Sequence, residues 1–146
     1  MGWTSGQRQR LGVEKSILEK HFSSCVTWIS PANVNAKIDA FIKCNSGKQY
    51  TLRVYIPNDF PNSCPNMVIK EPESRISDFQ DQRSSHTYPL RNHEGYLRIR
   101  HCDERDWTCE NTLYQVLVKG LLWLEAYEGH LRTGNSIDSF LAWKKY

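Results

Sequence analysis

No stretch of this chain stays apolar for the roughly 18 residues that a membrane-spanning helix needs. Its opening, MGWTSGQRQRLG, has no apolar centre of the kind a secretion signal carries. The expectation is an intracellular, cytoplasmic protein with no membrane partner. Cysteine is sparse and unpatterned. Cys25, Cys44, Cys64, Cys102 and Cys109 are odd in number, irregularly spaced and without a CxxC pair, which signals neither a disulfide framework nor a zinc finger. Reduced thiols are therefore expected. A surplus of one charge is also missing: 19 Lys and Arg against 16 Asp and Glu leave a formal charge of +3, spread along the chain. That balance argues against nucleic acid and allows only a weak preference for acidic partners. Internal repeats and low-complexity tracts are absent too.

What is present is an ordinary globular composition. The 146 residues are 39% hydrophobic, 24% charged and 12% aromatic, enough for one domain, 1–146, with its own core. The spacing of Leu11, Leu18 and Phe22 predicts a first helix from about Gly6 to Phe22, capped by Thr4 or Ser5, with Arg8, Arg10, Glu14 and Lys20 on a solvated face. Cys25 to Ile29 is short and β-rich. Ala36, Ile38, Ala40 and Ile42 then alternate with Lys37, Asp39, Phe41 and Lys43, Asn45-Ser46-Gly47-Lys48 makes a turn, and Tyr50 to Ile56 alternates again, which predicts a hairpin. The prolines at 57, 61 and 65 impose a rigid loop. Met67 to Lys70 reads as a fourth strand, and residues 73–85 as a polar surface loop.

Glu110 to Arg132 carries the strongest helical pattern, in Leu113, Val116, Leu117, Gly120, Leu121, Leu124 and Tyr127, with Thr108 or Asn111 as cap. Gly129 and Gly134 mark its frayed end, and Ile137 to Trp143 gives a last short helix. This order predicts an α+β domain: a four-stranded antiparallel meander sheet flanked by an N-terminal helix and a long C-terminal helix.

Polar chemistry is densest between His86 and Thr112, HTYPLRNHEGYLRIRHCDERDWTCENT. Cys102 sits next to His101 and near Arg98 and Arg100, neighbours that would favour its thiolate; the alternative is an unreactive surface cysteine. Alternation in the run Tyr96 to Ile99 puts Arg98 and Arg100 on one face and Leu97 and Ile99 on the other, so Arg98, Arg100 and His101 are candidate partner contacts. Asp103, Glu104 and Asp106 are placed to offset them. His93, His101, Cys102 and Cys109 lack the tight pair spacing of zinc sites, so no metal and no cofactor is expected. Cys64 and Cys109 read as small packing residues, Trp107 as a core plug, and Phe60, Trp3 and Trp143 as a possible patch for a partner.

The run Tyr50-Thr51-Leu52-Arg53-Val54-Tyr55-Ile56-Pro57, then Phe60-Pro61-x-x-x-Pro65, a His, Gly95-Tyr96-Leu97, Trp107 and Thr112-Leu113 resembles the ubiquitin-conjugating enzyme superfamily over about residues 7–132. The aromatic-Pro-x-x-x-Pro element is shared with the related RWD domains. The tail WLEAYEGHLRTG is similar to bacterial relatives of these enzymes. The resemblance implies a UBC-like fold and an acyl-carrying cysteine three residues after the Gly, a position held here by Arg98. It also implies a His-Pro-Asn element that stabilises an oxyanion, matched with altered spacing by His86 and Asn92. Two readings follow. One is a non-catalytic module that binds ubiquitin, a ubiquitin-like protein or another conjugation-pathway protein. The other is an active carrier that uses the displaced Cys102, with His86 and Asn92 beside it.

Overall fold

The computed structural model describes residues 2–33, 35–71, 86–88, 91–103 and 105–141. The elements are α1 (Ser5–His21), β1 (Val26–Ile29), β2 (Lys37–Lys43), β3 (Gln49–Tyr55), β4 (Asn66–Glu71), β5 (Leu97–Ile99), α2 (Leu113–Thr133) and α3 (Ile137–Leu141). The strands form one antiparallel sheet in chain order, β1-β2-β3-β4-β5. The α+β class holds, but the sheet has five strands rather than four. The additional strand is Leu97–Ile99, three residues long; its pairing with Met67, Val68 and Ile69 of β4 makes it a strand, not its length. The surface loop expected over 73–85 lies outside the described residues, as do the last residues of the closing helix expected to reach Trp143.

Alternation explains which face of the sheet is buried. Ile38, Ala40, Ile42, Leu52, Val54, Met67, Ile69, Leu97 and Ile99 are all at most 7% exposed and form the core with α2. The helix lies close to the sheet because Gly120 has no side chain: a Cβ there would come within 2.6 Å of Leu52 and 2.7 Å of Met67.

Several expectations about the helices need correction. Helix α2 begins at Leu113, not Glu110, because Thr112 and Gln115 bond reciprocally to each other's backbone N–H in a capping box; neither Thr108 nor Asn111 is the cap. Gly129 is not a frayed end. It lies inside α2, against Phe140 of α3, where a Cβ would approach the ring to 2.8 Å. Gly134 is the terminator, at φ +79°. Leu121 is only half-buried, whereas Trp123, Leu124 and Tyr127 are enclosed.

Glu14 was placed on a solvated face and is 1% exposed. Its carboxylate accepts from the Leu113 N–H at 2.7 Å and pairs with Arg10 at 2.8 Å, so an acidic group on α1 satisfies an orphan donor at the start of α2. Arg10 continues the joint, donating to the carbonyls of Cys109 and Asn111 at 2.5 and 2.6 Å. Phe60 and Trp3, offered as partner contacts, are instead buried at 0% and 4% exposure, and Trp143 lies outside the described residues. The peptide between Phe60 and Pro61 is cis. Half-buried Trp107 donates from Nε1 to the Pro61 carbonyl at 2.9 Å, pinning the loop before α2 to the proline-rich loop.

Candidate functional site

The short strand β5 is flanked on both sides. Opposite β4, the backbone of residues 86–88 bonds to it: Tyr88 N–H donates to Arg98 O at 3.1 Å and Arg100 N–H to His86 O at 2.8 Å. Leu97 and Ile99 therefore point into the core, while Arg98 and Arg100 leave on the other face. Both guanidinium groups lie over the Tyr88 ring, at 4.2 and 4.6 Å from its centroid. Arg98 also donates to Asn66 Oδ1 at 3.4 Å. Of the acidic residues expected to offset this pair, Asp103 feels the Arg100 charge, but its main partner is Arg105. Asp103 pairs with Arg105 at 2.8 Å, and hydrogen bonds from Arg105 hold its carboxyl down to about 2; Glu104 is outside the described residues.

The turn before β5 is organised by Asn92. Its Oδ1 accepts from the Glu94 and Tyr96 N–H groups at 3.0 and 2.9 Å, and Nδ2 donates to the Tyr55 hydroxyl at 2.8 Å. Gly95, at φ +88°, supplies the left-handed residue that the turn requires. Glu94 accepts from the Tyr55 hydroxyl and sits 3.3 Å from Arg53 and 3.4 Å from Lys37. The bond from Tyr55, then those charges, hold the Glu94 carboxyl at about 2; burial and the carboxylate push the Tyr55 phenol up.

Beneath the turn, Arg53 grips Asp39 with two bonds, at 2.7 and 2.9 Å, and Lys70 reaches the same carboxylate at 3.2 Å. Tyr55, Asn66, Arg91, Asn92, His93 and Arg98 line a cleft of about 380 Å³ between this network and β5.

The sulfur chemistry differs from expectation. Cys102 is bonded to Cys64 of the proline-rich loop, 38 residues away, so in this structure it is a half-cystine and not a free thiolate. Neither partner is the isolated packing or surface cysteine expected. Cys25, Cys44 and Cys109 are free, and burial pushes the Cys44 thiol up to about 12. His101 does not face a partner. It is 4% exposed, Nε2 donates to the Pro65 carbonyl at 2.7 Å, and burial pulls its pKa down to about 4, so the ring is neutral at pH 7.

The three residues expected to act together are each tied into a different part of the structure. His86 pairs with Asp138 of α3 at 2.7 Å, Asn92 builds the turn, and Cys102 joins Cys64. Sequence reading missed Asp39, Arg53, Tyr55 and Glu94. Counting outward from the turn at 45–48 puts Asp39 opposite Val54; the hairpin instead closes at Lys43 and Gln49, one residue wider, which sets Asp39 opposite Arg53. Among the described residues, no helix is long and apolar enough to cross a membrane. No protein-family model matches the chain, and neither does any curated protein.

Proposed function

We propose that this chain is a non-catalytic binding module on a ubiquitin-conjugating-enzyme-like framework. It holds ubiquitin, a ubiquitin-like protein or another protein of the conjugation pathway without becoming acylated by it. Arg98 carries this reading. It stands where the resemblance puts the acyl-carrying cysteine, and a guanidinium, cationic at any physiological pH, is no acyl-carrying nucleophile. Its side chain is engaged with Tyr88 and Asn66 at the mouth of the cleft. The alternative, a carrier on Cys102, needs a free thiol, and the bond to Cys64 weighs against it.

Arg98 and Arg100, with Arg91 on the cleft that Arg98 also lines, present a cationic rim suited to an acidic or polar partner surface. Reversing both charges, Arg98→Glu with Arg100→Glu, should leave thermal stability nearly unchanged, because neither side chain is buried. Affinity for the cognate member of a purified ubiquitin and ubiquitin-like panel, measured by isothermal titration, should fall at least about tenfold. The wild-type interaction should also weaken with added salt. Equal affinity of wild type and variant across the panel, at equal melting temperature, would remove the cleft rim from any binding role.

A further inference from the structure

Cys64, from the proline-rich loop, meets the adjacent residues His101 and Cys102 just past the end of β5. Ligand atoms of Cys64, His101 and Cys102, the two Sγ atoms and a ring nitrogen, lie within 4.8 Å of one another. The same three residues help line a small cavity of about 20 Å³, enough room for one water-sized body. His101 supplies an independent sign of a ligand. Its Nε2 hydrogen is committed to the Pro65 carbonyl, which leaves Nδ1 as a lone-pair acceptor; that atom is buried and has no hydrogen-bond partner among the described residues. A buried acceptor without a donor is unfavourable unless something binds there.

We propose that reduction of the Cys64–Cys102 bond creates a Zn²⁺ site in which the two thiolates and His101 Nδ1 are the protein ligands and water takes the fourth position. The donor set suits this ion: two sulfurs and an imidazole with one open position. Tetrahedral zinc, with Zn–S near 2.3 Å and Zn–N near 2.0–2.1 Å, sets neighbouring ligand atoms roughly 3.5–3.8 Å apart. Cys64 Sγ lies 3.7 Å from the His101 ring at Nε2, so the imidazole already sits against one of the two sulfurs. Two thiolates and a neutral imidazole cancel the charge of the ion, so no net charge is buried. The hydrogen bond from Nε2 to the Pro65 carbonyl is the outer-shell contact that ligating histidines make through their second nitrogen, and binding at Nδ1 leaves it intact.

The chemistry balances in two steps. A dithiol delivers two electrons and two protons to the S–S bond and closes to its own cyclic disulfide, leaving two protein thiols. Zn²⁺ then displaces both thiol protons to solvent. The site is independent of the binding-module reading, since none of its ligands belongs to the cationic rim.

The test compares one protein in two redox states. Wild-type protein is reduced with dithiothreitol, desalted without oxygen, and titrated with Zn²⁺ against a chromophoric chelator; an oxidised sample is treated in parallel. The reduced form should bind one Zn²⁺ per chain at least about 100-fold more tightly than the oxidised form. Co²⁺ in its place should give sulfur-to-metal charge-transfer absorption. The double variant Cys64→Ser, Cys102→Ser should lose this tight binding although Cys25, Cys44 and Cys109 remain, and His101→Gln should weaken it at least about tenfold. Equal affinity of the two redox states, or tight binding that survives the double substitution, would overturn the proposal. The comparison of redox states needs no substitution, so it stands even where a variant fails to fold.

Discussion

Replacing Asp39 with alanine will destabilise the protein by about 3 to 5 kcal/mol, because it leaves the Arg53 guanidinium buried without its principal partner. Asp39 and Arg53 are 5% and 8% exposed, and their two mutual bonds, at 2.7 and 2.9 Å, are shorter than those either makes to Lys70 or Glu94. Glu94, 3.3 Å from Arg53, remains as a second partner and should hold the loss to the lower half of that range. Replacing the pair together with apolar residues of similar volume should cost much less, since the penalty belongs to the stranded charge. Urea unfolding of the single and paired variants measures this, and a loss below about 1 kcal/mol for Asp39→Ala would mean that water reaches Arg53.

The same network sets the acid response. Burial opposes the Asp39 charge, but bonds from Arg53 and Lys70 hold its carboxyl below the ordinary value of 3.8. Glu94 is lowered from 4.5 to about 2, first by the Tyr55 hydroxyl. Both folded values lie below the unfolded ones, so the stabilisation is complete above about pH 5 and is lost as pH falls toward 2. Asp39→Ala should flatten that acid limb.

Trp123→Ala should remove about 3 to 5 kcal/mol, the cost of deleting a large ring from a closed core. Trp123 is 0% exposed and stacks on Tyr127, with ring centroids 5.4 Å apart and planes within 8° of parallel. Leu121, two residues earlier, is half-buried, and its truncation should cost less than half as much. Parity of the two losses in thermal or denaturant unfolding would mean that α2 is rotated from the position described.

That contrast shows where the sequence was informative. Period-2 alternation located β2 and β3 and put Arg98 and Arg100 on one face, because a half-buried strand writes its environment into every second residue. The pattern on α2 was harder to read. From Gly120 to Leu124 apolar residues face more than one direction, so spacing alone favoured Leu121 over Trp123. The α1–α2 joint was invisible for another reason: Glu14 looks like any surface charge until the Leu113 N–H is brought to 2.7 Å from it.

Long-range pairing limited the reading of the site most. The reactivity argument for Cys102 used its sequence neighbours, Arg98, Arg100 and His101. In space its closest partner is Cys64, delivered by the proline-rich loop, and His101 is turned into the interior toward Pro65. Tyr88 gains its place beneath both arginines only because residues 86–88 pair along β5, a contact no local pattern announces.

The claim that this framework binds without carrying is tested most directly by incubating the chain, in oxidised and reduced forms, with an activating enzyme, ATP and ubiquitin, then resolving the products on a non-reducing gel. On the proposed reading, no ATP-dependent, thiol-sensitive adduct should form in either state. An adduct that appears with ATP, is cleaved by thiol and disappears in Cys102→Ser would contradict the binding-module reading and make Cys102 the carrier.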